Sequence, residues 1–217
     1  SWLIVGQLFL ILAFIKKWSA GGKADCSADL SNKVAVITGA NAGLGFETAK
    51  ALLKMGCKVV IACRNQTKAT LAIEKLKRET KSNLVSFMMI DLADLESVKS
   101  FAAKLRIRYP KVDILVNNAG VGWMSTLTTK QNIEIHWGTN HLGHMYLVQL
   151  LLPTLLEHKS KIIFVGSRSH RKYGGKINFK DPEFKRQSES GRGIMLHAYG
   201  HSKLANIMCG NELQRRY

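Results

Sequence analysis

The sequence predicts an α/β fold: a doubly wound parallel sheet of the Rossmann type, built in three layers, α/β/α. Two observations lead to this prediction. Apolar runs of strand length alternate five times with segments of helical period. A glycine-rich turn also follows the first apolar run and leads directly into the first helical segment, as it does in nucleotide-binding α/β folds.

The predicted strands are β-branched or wholly apolar, as strands covered on both faces must be. They comprise residues 34–38, 58–63, 84–90, 114–117 and 161–165. The predicted helices comprise residues 44–55, 67–80, 95–108 and 133–158. Because crossovers between parallel strands are right-handed, this order places helices on both faces of one sheet.

One segment interrupts the alternation of strands and helices. Residues 169–197 are rich in Gly, Lys, Arg and Ser and show no sustained period, so we predict an inserted loop. The loop is either a wall or lid of the substrate site or a passive surface excursion.

Composition limits the class of protein. A chain of 217 residues with 46% hydrophobic and 22% charged residues suits one globular domain. The net charge is +17, but the basic residues are scattered without aromatic interleaving, so no nucleic-acid partner is predicted. The four cysteines have no motif spacing and are predicted to be reduced thiols, and no histidine spacing indicates a metal site.

Residues 1–20 stand apart from this domain. Residues 3–15 are apolar at all but two positions, and Lys16 and Lys17 follow them. We predict a membrane anchor, with the lysines placing the rest of the chain in the cytosol. The run is shorter than the roughly 20 residues that span hydrocarbon, so a signal peptide and an interfacial helix are alternatives. A signal peptide would carry its charge before the apolar run, and no basic residue precedes it.

The glycine-rich turn is the first part of a predicted cofactor site. Its glycines have the spacing G-x3-G-x-G between a strand and a helix. Glycine adopts backbone angles closed to other residues, and it lets a pyrophosphate approach the N–H groups at the helix N-terminus. The predicted phosphate-binding residues are Gly39, Asn41, Gly43, Leu44 and Gly45.

The ends of the next three strands complete this site. After the second strand stands Arg64, where an NAD-selective site would present an acidic residue, so its cation favours a 2′-phosphate and the cofactor NADP(H). Asp91, beside Leu92, is placed to accept from the adenine amino group. The small residues Ala119 and Gly120, after Asn118, let the backbone pass close to the cofactor.

A second group of residues indicates catalysis. Tyr199 and Lys203 are spaced i, i+4 and share one face of a predicted helix. A neighbouring ammonium stabilises a phenolate, so the pair can serve as a proton donor and acceptor. Ser167, at the end of the fifth strand, supplies a hydroxyl that can hold a carbonyl oxygen.

Together these motifs resemble the short-chain dehydrogenase/reductase superfamily over residues 33–217. TGANAGLG, NNAG, Asn140, Ser167 and YGHSK occur in the expected order. ACRN at 62–65, NHLGH at 140–144 and HSKLAN at 201–206 resemble the retinol dehydrogenase branch. That resemblance implies a microsomal, NADP(H)-preferring oxidoreductase of lipophilic alcohols, aldehydes or ketones, retinoid-like or steroid-like, on the cytosolic side of the endoplasmic reticulum membrane.

The resemblance also implies roles for single residues. Tyr199 would be the general acid/base, Lys203 would stabilise its phenolate and hold the nicotinamide ribose, and Ser167 would bind the substrate carbonyl. Asn140 would hold the water of a proton relay to Lys203. Gly166 departs from the branch, which usually has a serine there.

The end of the chain gives a further expectation. The family continues past the Tyr-x3-Lys helix with more strands and a substrate-covering region, so we expect these last strands to be missing and residues 161–165 to form a sheet edge that favours self-association into a homo-oligomer. An alternative function follows: a catalytically deficient truncated form that binds NADP(H) as a regulatory or interaction module.

Overall fold

The computed structural model describes residues 27–122, 127–181 and 192–217, together with the single positions Gln7 and Phe14. Apart from these two positions, the predicted anchor at residues 1–20 lies outside the described residues. In the part of the chain that is described, no helix combines the length and apolar character needed to cross a bilayer.

Five parallel strands form the centre of the protein. They are β1 (Val34–Thr38), β2 (Lys58–Cys63), β3 (Val85–Met89), β4 (Ile114–Asn117) and β5 (Lys161–Phe164). Their order is β3-β2-β1-β4-β5, which confirms the predicted doubly wound sheet. The crossovers proceed in opposite directions on the two sides of β1 and β4, so a ligand crevice opens at the carboxyl ends of these two strands.

Five α-helices are described around this sheet. They are α1 (Gly43–Lys54), α2 (Gln66–Thr80), α3 (Leu95–Arg108), α4 (Gly143–Glu157) and α5 (Arg192–Arg216). α1 and α2 pack on one face of the sheet, whereas α3 and α4 pack on the other. The side chains of Asn65 and Asp94 cap the N-termini of α2 and α3 by accepting backbone N–H bonds.

Strand alternation explains why the sheet is apolar on both faces. Val36 and Val60 point toward α3 and α4, and their neighbours Ile37 and Ile61 point toward α1 and α2. All four side chains are fully buried. A half-polar pattern at these positions would leave unsatisfied groups under one helical layer, so the continuous apolar runs are a requirement of the parallel sheet.

β5 differs from the three central strands because it is one of the two edges of the described sheet. Lys161 and Ile163 are exposed on it, and Ile163 retains 43% of its accessible surface. The expected edge strand is therefore confirmed.

Two predicted elements are wrong. Residues 133–158 are not one α-helix, because Trp137–Leu142 is π-helical before α4 begins. Residues 169–197 are not a continuous loop, because His170–Gly174 is also π-helical and α5 begins at Arg192. A Cβ on Gly200 would come within 2.7 Å of the Gly174 backbone nitrogen. The π-helical segment and α5 therefore pack through their backbones at these glycines. Because apolar side chains do not make this contact, the sequence shows no apolar period there.

A buried carboxylate fixes the end of the sheet opposite the crevice. Asp113 precedes β4, accepts the backbone N–H of Val34 at 2.9 Å, and pairs with Lys33 at 3.0 Å and Lys111 at 3.2 Å. Burial alone would raise the pKa of Asp113, but the Val34 N–H and the two ammonium groups outweigh it and lower that pKa. The interaction ties the beginnings of β1 and β4 together.

We predict that Asp113→Asn lowers the free energy of unfolding by about 2 kcal/mol at pH 7, because charge-assisted hydrogen bonds are lost. Since the folded-state pKa is depressed, this stabilisation is present above the unfolded-state pKa and is lost as the pH falls through the folded-state value. Urea unfolding at neutral and acidic pH measures both effects. Glu47→Gln, at the exposed pair with Lys50, is the control and should change little. A constant difference between Asp113→Asn and wild type down to strongly acidic pH would contradict the assignment.

Candidate functional site

The glycine-rich turn places the N-terminus of α1 at the mouth of the crevice. Gly39 and Gly43 have φ values of +67° and +59°, a region that favours glycine. The N-cap residue Ala42 makes no side-chain hydrogen bond, and the first turn of α1 contains no acidic residue. The N–H groups of this turn and the positive end of the helix dipole are therefore available to an anion.

Besides its backbone angles, the turn needs glycine at two positions for steric reasons. A Cβ on Gly45 would lie 2.5 Å from the Asn118 side-chain nitrogen and 2.8 Å from the Gly39 carbonyl oxygen. A Cβ on Gly39 would lie 2.9 Å from the Cα of Ala119. The turn and the loop after β4 thus touch each other directly, and glycine is required for that contact.

The hydroxyl of Thr38 joins the same two segments through hydrogen bonds. Its Oγ1 accepts the backbone N–H groups of Asn118 and Ala119, each at 2.9 Å. The Asn118 side chain donates in turn to the Thr38 carbonyl at 2.7 Å. These bonds hold the loop against the end of β1, where the two strand ends form the floor of the crevice.

A cavity of about 430 Å³ lies above this floor. Of the predicted cofactor residues, those that line it are Gly39, Asn41, Gly43, Leu44, Arg64, Asp91, Leu92, Asn118, Ala119 and Gly120. Gly45 is buried beneath the turn. Arg64 is exposed at the rim, and no carboxylate in the described ranges forms an ion pair with it. One carboxylate oxygen of Asp91 accepts the N–H of Ala93 at 2.9 Å.

A second cavity, of about 440 Å³, adjoins the first and contains the predicted catalytic residues. Ser167, Tyr199 and Lys203 all line it. The two cavities share part of their walls, namely Leu44, Asn118, Gly120 and Val121. The two cavities are therefore neighbours, with Arg64 lining the first and Tyr199 lining the second.

Lys203 is held in the wall of this second cavity. Its Nζ donates to the carbonyl of Val165 at 3.0 Å and lies 5.8 Å from the centroid of the Tyr199 ring. A Cβ on Gly120 would come within 3.5 Å of the same Nζ, so the loop after β4 also borders it. Burial lowers the pKa of Lys203 to about 8, because the charged form is poorly solvated there.

Asn140 is not among the residues that line the two cavities. It is fully buried in the π-helical segment, where its Oδ1 accepts the N–H of Val121 at 2.7 Å. Its Nδ2 donates to the Val121 carbonyl and to Ser202 Oγ, both at 3.0 Å. Asn140 therefore connects the loop after β4 to α5, which carries Tyr199 and Lys203.

Other residues that the sequence did not single out also shape the site. Met195 and Leu196 line the second cavity beside Tyr199, and Ser169 lines it at the other end of the predicted insertion. Met195 and Leu196 precede Tyr199 by four and three positions, so helical spacing could have identified them. Both described ends of the insertion therefore border the cavity, which favours the wall over the passive excursion.

The histidines near the site have structural contacts. His144 and His141 are buried and bond to Thr38 and Asn206, respectively, while His136 bonds to Glu134. The predicted reduced thiols are also found: Cys57 and Cys63 are buried and free, and Cys209 is free and partly buried. Burial raises the pKa of Cys57 to about 11. Cys26 lies outside the described residues.

Comparison with known proteins matches residues 33–177 to the short chain dehydrogenase family. Retinol dehydrogenase 12 of Mus musculus is 39% identical over 210 residues, which cover 96% of this chain and 64% of that protein. The chain thus spans slightly less than two thirds of the length of this relative.

Solved structures with the same fold agree with this match. An uncharacterised protein from Mycobacterium paratuberculosis superposes with a TM-score of 0.74 and 35% identity, covering 87% of this chain and 64% of the other. An alcohol dehydrogenase from the archaeon Thermococcus sibiricus, solved with 5-hydroxy-NADP, has a TM-score of 0.64 and 25% identity, covering 85% and 71% of the respective chains.

We predict that Gly45→Ala disrupts the bond between Asn118 and the Thr38 carbonyl and lowers stability by about 1–3 kcal/mol, because the new methyl group overlaps Asn118. Gly43→Ala is the control: it meets nothing within 4 Å and bears only the cost of its positive φ. Amide hydrogen exchange at residues 118–120 should accelerate in the Gly45 variant alone. Equal exchange in the two variants would show that the contact does not hold the loop.

Proposed function

The chain belongs to the short-chain dehydrogenase family, in its retinol dehydrogenase branch, and from that premise we propose that it transfers a hydride between NADP(H) and a lipophilic alcohol, aldehyde or ketone. The observation that carries this proposal is the pair of adjoining cavities, one lined by the predicted phosphate-binding turn and the other by Ser167, Tyr199 and Lys203. The relatives named retinol dehydrogenases support a retinoid-like substrate, and a steroid-like substrate belongs to the same proposal because it is also lipophilic.

The first cavity has the features that a dinucleotide requires. Gly39 lets the turn pack against Ala119 at the mouth of the crevice, and α1 presents N–H groups without a side-chain cap. Asp91 keeps one carboxylate oxygen available for the adenine amino group, and Leu92 supplies an apolar wall. Gly120 and Ala119 allow close approach along the loop after β4. The proposed binding residues therefore remain those expected from the sequence.

Selection of the phosphorylated cofactor is assigned to Arg64. Its guanidinium is exposed at the rim, and among the described residues no carboxylate competes for it. Lys68, which lies one helical turn further on α2, is also exposed and adds positive charge. An arginine fork matches the geometry of a 2′-phosphate, whereas the acid typical of NAD-selective sites is absent at this strand end.

The proposed chemistry divides among three side chains. Bound NADPH would supply the hydride to the substrate carbonyl. Ser167 donates a hydrogen bond to the carbonyl oxygen and fixes its position. Tyr199 delivers a proton to that oxygen, and the ammonium of Lys203 stabilises the phenolate that remains. In the oxidation direction Tyr199 instead accepts the proton of the alcohol.

The cavity walls suit an apolar substrate beside this polar centre. Met195, Leu196 and Val121 line the space around Tyr199 and Ser167. Apolar walls favour a hydrocarbon body and leave the hydroxyl of Ser167 and the phenol to bind the reacting oxygen. This arrangement supports a lipophilic carbonyl over a small charged one.

Residues 33–217 form the proposed NADP-binding catalytic domain, and residues 1–20 form the proposed membrane anchor. The anchor would hold the domain at the cytosolic face of the endoplasmic reticulum membrane, where lipophilic substrates concentrate. The apolar run at residues 3–15 and the two lysines that follow support this proposal.

We predict that the protein binds NADPH more tightly than NADH and that Arg64→Ala weakens NADPH binding by about 10- to 100-fold, because a charge-assisted contact is lost. NADH affinity should not change. Fluorescence titration with both cofactors measures this. Arg78→Ala, an exposed arginine at the other end of α2, is the matched control and should leave both affinities unchanged. Equal affinities in wild type would refute the role of Arg64.

We predict that Tyr199→Phe reduces turnover at least about 100-fold because it removes the proton donor. NADPH affinity should stay within a few-fold of wild type. Tyr146→Phe is the control, since it also removes a hydroxyl from a half-buried tyrosine but lies outside both cavities. Steady-state reduction of retinal, steroid ketones and medium-chain aldehydes provides the measurement. Turnover of Tyr199→Phe within several-fold of wild type would exclude Tyr199 as the donor.

We predict that deletion of residues 1–20 moves the protein from the membrane fraction to the soluble fraction, because the deletion removes the apolar run. Fractionation followed by alkaline carbonate extraction measures the change. Retention of the deleted form after extraction would place the anchor elsewhere.

A further inference from the structure

Two glycines in the wall of the second cavity are not required by the backbone conformation. Gly122 lies in the loop after β4, and Gly166 immediately precedes Ser167. Both glycines line the cavity of about 440 Å³. Neither has a positive φ, whereas Gly39 and Gly43 do. Residues with a side chain could therefore adopt the backbone angles found at both positions.

Close packing does not require glycine at position 122 either. A Cβ on Gly122 would lie 3.7 Å from Cε2 and 3.9 Å from Cδ2 of the Tyr199 ring, which are ordinary van der Waals distances. Apart from the neighbouring residues in the chain, no other described atom lies within 4 Å of it. By contrast, a Cβ on Gly120 would come within 3.2 Å of Asn140 Oδ1. Gly120 is thus needed for tight packing, while Gly122 leaves space beside the Tyr199 ring.

Gly166 shows the same combination of features. A Cβ there would lie 3.5 Å from Cγ1 and 3.6 Å from Cδ1 of Ile207, so a small side chain would fit without displacing its neighbours. Because Gly166 itself lines the cavity, its missing side chain leaves additional room next to Ser167.

The chemistry of the proposed site gives this space a use. A carbonyl oxygen that is bound by Ser167 and protonated by Tyr199 places its carbon next to the phenol. That carbon carries two further substituents: in an aldehyde one of them is hydrogen, and in a ketone both are carbon. The apolar side chains of Met195 and Leu196 suit one hydrocarbon arm. A ketone needs further room for its second arm, and an aldehyde does not.

We propose that Gly122 determines substrate specificity by leaving room beside Tyr199 for a second carbon substituent, so that the site takes ketones and the secondary alcohols formed from them. Gly166 adds to this room. This inference rests on the proposed function, because it narrows the class of carbonyl compound that the site accepts.

Gly122→Val tests this role, because its side chain would occupy the space beside the Tyr199 ring. The matched substrates are nonanal and the methyl ketone in which a methyl group replaces its aldehyde hydrogen. We expect the ratio of kcat/KM for the ketone to kcat/KM for nonanal to fall about 10-fold or more, because one methyl group in a hydrophobic pocket changes kcat/KM by about 10- to 200-fold. Gly122→Ala should lower the same ratio to a smaller extent.

The control is Gly210→Ala, on α5 and outside both cavities. A Cβ on Gly210 would lie 3.8 Å from Cδ2 of Phe164, so the new methyl group meets an aromatic ring much as it does at position 122. The control should leave the ratio unchanged, and thermal unfolding shows which variants are folded. Reduction of nonanal alone by the wild type would overturn the proposal, as would an unchanged ratio in the folded Gly122 variants.

Binding of the product alcohols tests the inference without turnover. Saturation-transfer NMR of the full chain with NADPH compares the primary alcohol formed from nonanal with the secondary alcohol formed from the methyl ketone. We expect Gly122→Val to weaken binding of the secondary alcohol more than binding of the primary one. If the wild type reduces neither substrate, the proposed hydride transfer fails and alcohol binding still decides the role of Gly122. An equal effect on the two alcohols, or binding of neither by the wild type, would contradict that role.

Discussion

The site depends on the hydrogen bonds made by the hydroxyl of Thr38. It sits at the end of β1, accepts two N–H groups of the loop after β4, and lies 2.8 Å from the buried ring of His144. A valine would fit the strand equally well but would leave these N–H groups without their acceptor. Because the glycine-rich turn follows Thr38 directly, the same residue fixes the floor of the proposed cofactor cavity.

The two ends of the sheet have different functions. At the amino ends of β1 and β4, the carboxylate of Asp113 and two lysines hold the strands together. At the carboxyl ends, glycines, Thr38 and Asn118 bring the backbone segments close together and form the floor of the crevice. The strand order makes this division possible, since the crevice opens only where neighbouring crossovers run in opposite directions.

Most of the fold and of the candidate site could be predicted because their signals are local. The bounds of β1, β2, β4 and α3 follow directly from apolar periodicity. Gly39, Arg64, Asp91 and Asn118 each stand at a strand end and therefore converge once the strand order is given. The helix at residues 133–158 was predicted incorrectly because a π-helical segment has no distinct apolar period. Its position depends on the bonds between Asn140 and Val121, which belong to separate elements.

The sequence by itself determined the parallel sheet, the glycine-rich turn after β1 and the spacing of Tyr199 and Lys203, because each depends on residues that are neighbours along the chain. Only the tertiary structure decided how Asn140 is held. Its carbonyl is bound by His144 and Asn206, and its side chain by Val121 and Ser202. Hydrogen-bond direction depends on which acceptor faces each donor across packed elements, and that arrangement exists only once the chain is folded.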